Sequence, residues 1–430
     1  MEQGTTTTTD WLKEDRFGLF IHWGIYAVPA RGEWVKHHER LTDSDYEPYF
    51  RHFDPDLYDP EAWAREAAAA GMRYVVVTTK HHDGFCLWDS ALTDYKATNT
   101  PARRDLLSPL VDAFRRHGLK IGFYHSLLDW HHPDFPVDGF HPQRDDADFK
   151  RHNASRDIAR YRAYLLGQVR ELLTGYGRVD YIFFDFSYGP RQHPEIWGGK
   201  GREDWGSDEL LAMTRHLQPG IVVNDRLDLP GDVTTPEQYQ PAGPMALAGG
   251  QTLWEANQTL NGTWGYHRDN YDWKPSDMLV QMLVDGVSKD GNLFLNVGPT
   301  ARGEFDDHAL RLLRDIGQWM RRHNQSVYGC GPAPFVPPPD CRYTAKGDRI
   351  FLHIFCWPFG HLHLPGLGNG RVEFARFVHD ASEVKRNEID PAQTPNTIRM
   401  GGLPAGTLTL ELPVHRPDVL VPVIELLLRR

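Results

Sequence analysis

The stretch VDYIFFDFSYG, residues 179–189, sets one carboxylate, Asp185, at the end of an almost wholly apolar run. Val179, Tyr181, Ile182, Phe183 and Phe184 are what a strand buried on both faces is made of. A charge at the end of such a strand is costly to desolvate, so it is expected to serve chemistry. Comparable groups follow other apolar runs. His22-Trp23 come after FGLFI, with Glu33-Trp34 downstream; His81, His82 and Asp83 come after YVVVTTK. Tyr124-His125 end the next run, and Asn224-Asp225-Arg226 follow another. Glu237 lies in TTPEQYQP, while Glu255, Trp264 and Tyr266 lie in LWEANQTLNGTWGYH. Groups that hydrogen-bond hydroxyls alternate with large rings, a mixture that suits a sugar better than a phosphate or an acyl group.

Two carboxylates in such company suit glycoside hydrolysis. One attacks the anomeric carbon; the other protonates the leaving oxygen and later deprotonates water. Asp185, held by a stiff strand, is placed to be the nucleophile. Glu237, on a Pro-containing loop, is placed to be the acid, with its pKa raised from ~4.3 by a neighbouring charge and aromatic walls. Each residue alone has a plainer reading: His81-His82 a capped turn, Asp185 an ion pair, Trp264-Gly265-Tyr266 packing. Delivery of all of them to strand ends favours a site.

The elements that must position them are legible in the chain. Residues 60–70 are Ala- and Glu-rich helix formers, opened by Asp59 as a cap and Pro60 at the first helical position, and closed by Gly71 before the strand RYVVVTT. The same helix–Gly–strand grammar recurs four more times, and an earlier strand, FGLFIHWG, opens the series. Strands alternating with helices predict a parallel sheet with covered faces, and this count over about 320 residues fits closure into a (β/α)8-like barrel. In such a barrel the carboxyl ends of the strands carry the chemistry. No G-x-G-x-x-G follows an early strand, which weakens a dinucleotide-binding reading. Beyond the Pro-rich GPAPFVPPPD, short alternating runs such as DRIFLHIFCWP and TLTLELP predict an antiparallel β-sandwich. The expected division is residues 1–333 for the catalytic barrel and 334–430 for the sandwich.

The 47 basic and 58 acidic residues leave a net charge of −11, which argues against nucleic acid or an anionic membrane as partner. Neither a signal peptide in MEQGTTTTTDWLKED nor an apolar run of spanning length is visible, so a cytoplasmic, bacterial-type protein is expected. Cys86, Cys330, Cys341 and Cys356 form no C-x-x-C pair. They are as well read free as bridged.

These motifs have a family resemblance. RFGLFIHWGIYAVPARGEW, KHHDGFCLWDS, YIFFDF, TTPEQ, WE…GTWGY, GNLFLNVGPTARGE and IGQWM together resemble glycoside hydrolase family 29, the α-L-fucosidases, from about residue 10 to 330. The resemblance implies an irregular (β/α)8 barrel and a retaining mechanism with no metal or cofactor, acting on fucosylated glycans or glycoconjugates. It implies Asp185 as nucleophile and His22, His81 and His82 as hydroxyl-binding residues. Glu33 and Trp34 match a Glu-Trp pair on the sugar, Tyr124 a tyrosine near the nucleophile, Arg226 an arginine after the next strand, and Trp264 a ring at the sugar's C5 methyl. For the acid/base it favours Glu237, with Glu255 as runner-up and second sugar contact. Three departures bear on specificity. Phe183 stands where the family commonly has Trp two before the nucleophile, Phe186 stands where Gly often follows it, and His125 stands where many members have Ser or Tyr.

Three other readings stay open at this level. One is a retaining glycosidase for a related sugar such as a galactoside. Another is a non-catalytic sugar-binding protein on the same scaffold, and the third is a metal-dependent enzyme using His81, His82, His125, His131 and His132 with Asp83 and Asp129. Association into a homo-oligomer is also left open.

Overall fold

The computed structural model describes residues 8–247, 250–251 and 253–429; the first seven residues of the N-terminal stretch considered above lie outside it. Seven parallel strands form one sheet: β1 (Phe17–Ile21), β2 (Tyr74–Lys80), β3 (Lys120–Ser126), β4 (Tyr181–Asp185), β5 (Val222–Val223), β8 (Trp254–Thr259) and β9 (Gly291–Val297). Their order is β5-β4-β3-β2-β1-β9-β8; β6 (Ala246–Leu247) and β7 (Gly250–Gln251) form a separate hairpin. The gap between β5 and β8 is spanned by residues 233–237. Val233 bridges Asn224, while Thr234 and Glu237 bridge Trp254 and Asn257, all in parallel. This segment is the eighth stave of the barrel. It is not a regular strand, since Pro236 supplies no N–H, but it bonds to β8 through Glu255 N to Thr234 O, Asn257 N to Pro236 O and Gln238 N to Asn257 O, each 2.9 Å.

Local sequence explains the repeating unit. Asp59 Oδ1 accepts from the N–H groups of Glu61 and Ala62, capping the helix Pro60–Ala69. Gly71, at φ +88°, then turns the chain into β2. β2 itself, Tyr-Val-Val-Val-Thr-Thr-Lys, is buried along its whole length, as expected for a strand covered on both faces. Inside the barrel, Phe20, Tyr74, Tyr124, Tyr181, Phe183 and Phe294 pack together. Gly18 makes room for them, since a Cβ there would lie 2.2 Å from the Tyr74 ring.

The C-terminal part is antiparallel. One sheet runs β10 (Gly331–Pro332), β11 (Cys341–Lys346), β12 (Arg349–Ile354), β17 (Val423–Leu428), β14 (Val372–Phe377); the other runs β13 (His361–Pro365), β16 (Thr407–Glu411), β15 (Arg386–Asn387). Leu352, Ile354, Leu364, Leu410 and Leu426 fill the space between them. The sandwich is tied to the barrel by the Trp319 indole N–H to Val421 O (2.8 Å) and by Arg342 to Asp285 (2.7 Å). All four cysteines are free, and only Cys356 is exposed. Among the described residues, no helix is long and apolar enough to cross a membrane.

Candidate active site

At the carboxyl end of the strands lies a cavity of about 280 Å³. Asp185, the last residue of β4, reaches into it at 8% exposure. Its Oδ2 accepts from the Tyr124 hydroxyl at 2.8 Å and its Oδ1 from Arg226 Nη1 at 2.9 Å. The His82 Nε2 stands 3.9 Å from the same carboxylate. Register explains the cluster: Ser126 pairs with Asp185, and Tyr124 with Phe183, so β3 and β4 end level at the rim.

Glu237 sits on the eighth stave, and its Oε2 lies 2.8 Å from Arg226 Nη1. One nitrogen therefore touches both carboxylates. Their oxygens are no farther apart than two hydrogen-bond lengths, nearer the ~5–5.5 Å of retaining pairs than the ~6.5–9.5 Å of inverting ones. Arg226 is itself anchored by Thr235, through Nε to Oγ1 (3.0 Å) and Nη2 to the carbonyl (3.1 Å). Its plane covers the Phe183 ring at 5.1 Å. Burial opposes the guanidinium charge, but Asp185 and Glu237 outweigh it and hold its pKa above the ordinary value.

Three histidines also line the cavity. His22 Nδ1 is 2.7 Å from Asn296 Oδ1, and burial lowers its pKa to about 3 despite that bond. Burial pushes His81 and His82 well below the usual imidazole range too. All three are neutral rings at neutral pH, each with one donor and one acceptor nitrogen, as hydroxyl recognition requires. His82 Nδ1 is engaged by Ser126 Oγ (2.6 Å), whereas His81 Nδ1 is buried without a partner. Trp264 packs against His22 at 5.1 Å and Phe20 at 6.0 Å, giving the cavity an apolar end. Trp34 and Phe183 complete the predicted residues that line it. Glu33 stands just behind: its Oε2 accepts the Gly265 N–H at 2.7 Å, fixing the loop that carries Trp264. Burial raises the pKa of Glu33, with the Gly265 bond opposing.

Glu255 requires a correction. It does not line the cavity, and it is fully buried in the layer of the barrel nearer the strands' amino ends. There it pairs in register with Asn292 and accepts from the Tyr74 hydroxyl. Burial raises its pKa to about 7. The structure does not bring it to the cavity with the other predicted residues, because it sits one layer below the rim. Asn257, two residues on and therefore on the same face of β8, takes the place at the cavity wall. Both its side-chain polar atoms are buried without a partner. Sequence reasoning missed it, although the two-residue step from Glu255 along WEANQT could have shown it. Phe20 and Phe186 also line the cavity.

The residues of the metal-binding alternative scatter. His131 stacks on Tyr95 at 3.8 Å, His132 packs on Tyr164 at 4.3 Å, and Asp129 lies against Lys80. Among the described residues, no three His, Cys, Asp or Glu side chains are arranged to hold a metal ion.

The sequence model of the family described as Alpha-L-fucosidase matches residues 2–325. The tissue alpha-L-fucosidase of Homo sapiens is 29% identical over 387 residues, covering 81% of this chain and 76% of that one. The solved alpha-L-fucosidase isoenzyme 1 from Paenibacillus thiaminolyticus is 46% identical, with a TM-score of 0.89 over 98% of this chain and 99% of that one. A GH29 alpha-L-fucosidase from Bacteroides thetaiotaomicron, solved as a trapped covalent intermediate with 2-fluoro-fucosyl fluoride, is 27% identical, with a TM-score of 0.83 over 100% of this chain and 98% of that one. On the family match over most of its length and a fold shared end to end, the chain belongs to the alpha-L-fucosidase family.

Proposed function

We propose that this protein removes terminal α-L-fucosyl residues from glycans or glycoconjugates by double displacement, with Asp185 as nucleophile and Glu237 as acid/base. An Asp185 oxygen bonds to the anomeric carbon as the bond to the leaving oxygen breaks, and Glu237 gives that oxygen its proton. Glu237 then takes a proton from water, whose oxygen displaces Asp185 and frees the sugar. The observation that carries the reading is the single Arg226 nitrogen in contact with both carboxylates. It sets their spacing and aims Asp185 before the sugar enters. Neutral His22, His81 and His82 with Asn257 supply bonds for the ring hydroxyls, and Trp264 offers the dry surface that a C5 methyl group needs.

The test is Asp185→Gly assayed on an aryl α-L-fucoside. Turnover should fall by about 10³-fold or more, and azide should restore part of it, yielding the β-L-fucosyl azide. Turnover close to that of the native protein rejects the assignment. A 2-fluoro-fucosyl fluoride label found by peptide mapping on any residue but Asp185 rejects it as well.

A further inference from the structure

Phe186, directly after the nucleophile, has φ +81°. This is left-handed backbone that a bulky side chain rarely adopts, and such strain gathers where a ligand is clamped. The conformation is enforced from behind. Tyr188 N bonds to Lys200 O at 2.8 Å, and both the Tyr188 hydroxyl and the Lys200 ammonium reach the buried Asp138 carboxylate. Lys200 in turn lies over the Phe135 ring. These contacts tether the loop leaving β4 two residues beyond Phe186.

The strain turns the ring toward the cavity mouth. Phe186 meets Trp34 at 5.2 Å, Phe140 at 4.9 Å and His82 at 5.0 Å. Phe20, Phe183 and Asn257, at the blind end, are buried, whereas Trp34, Phe186 and Phe140 are partly open and Glu237 is exposed. A glycosyl unit bonded to Asp185 occupies the blind end, so its leaving group must pass out between Glu237 and these rings. Packing alone gives no account of a strained backbone bearing a half-open ring, since a glycine there would cost nothing in φ.

Building on the fucosidase reading above, we propose that Phe186 determines specificity for the leaving group. With Trp34 it forms an aromatic shelf at the mouth that stacks on the apolar C–H face of a pyranose leaving group. The enzyme is thus selective for fucose attached to a second sugar ring over fucose carrying a small leaving group.

The experiment compares kcat/KM on a fucosyl-pyranose disaccharide and on α-L-fucosyl fluoride, whose leaving group offers nothing to stack. Phe186→Gly removes ring and strain together, and Phe186→Asn tolerates φ above zero if the glycine variant folds poorly. In either variant the disaccharide-to-fluoride ratio should fall at least tenfold, while Phe186→Tyr, which keeps a ring, should hold it within threefold. Phe186→Gly should also melt above Phe186→Ala, which keeps the strain without the ring. Equal losses on both substrates would overturn the proposal, assigning Phe186 to support of Asp185. A native protein inactive on both substrates would instead reject the fucosidase reading.

Discussion

Asp185 and Glu237 meet the same cation, yet their surroundings divide their labour. Asp185 is nearly buried at the end of a stiff strand, with both oxygens bonded, whereas the Glu237 side chain is 41% exposed on the stave closed by Pro236. A fixed group suits bond formation, and a group open to water suits proton exchange. Glu237→Ala should therefore slow disaccharide fucosides by 10² or more while sparing a dinitrophenyl fucoside, whose leaving group needs no proton. Parallel losses on the two substrates would remove Glu237 from the acid role. Glu255 carries a different prediction. Burial raises its folded pKa to about 7, above the ordinary value of 4.5, so between these values the folded protein holds a proton that the unfolded chain has released. Stability from this proton is complete below pH 4.5 and is lost as pH rises through 7. Glu255→Gln, neutral throughout, should gain about 3 kcal/mol relative to the native protein between pH 4.5 and 8. Urea unfolding at the two pH values measures it, and a pH-independent difference contradicts it. The pocket histidines titrate in the opposite sense: with His22 lowered to about 3, their contribution is complete above the usual imidazole value and fades on acidification.

Elements set how deep each of these residues sits. Alternation along β8 puts Glu255, Asn257 and Thr259 on one face of the strand, but only the stagger against β9 says which of them reaches the rim. Glu255 pairs with Asn292 and Asn257 with Phe294, which sinks the carboxylate and lifts the amide. The Tyr74 ring, whose hydroxyl bonds Glu255, needs the space left at Gly18, where an added Cβ would fall 2.2 Å from it. Gly18→Ala should destabilise by about 1–3 kcal/mol through overpacking, read as a lower urea midpoint. An unchanged midpoint would mean that the Tyr74 ring has room to turn aside. The sequence correctly shows Asp185 at its strand end because the apolar run before it is long. It hides the eighth stave, residues 233–237, because a segment with an internal proline does not read as a strand.

Across the whole molecule, the sandwich braces the barrel at a distance from the pocket. Trp319, on the helix Asp307–His323, is 3% exposed and donates to Val421 of the C-terminal part. Trp319→Ala should cost about 3–5 kcal/mol with kcat on an aryl fucoside within twofold of native, as judged by unfolding and steady-state assays side by side. A large fall in kcat without a loss of stability would tie the sandwich to catalysis. What the amino-acid order determined alone is the alternation of helix and strand, the buried faces, and the chemistry offered at strand ends, because periodicity and capping act over a few residues. Only the tertiary structure decided which carboxylate stands opposite Asp185, that Arg226 touches both, that Asn257 rather than Glu255 lines the cavity, and that Phe186 is held under strain. Those outcomes depend on strand stagger and on contacts between segments far apart in the chain, which no local pattern encodes.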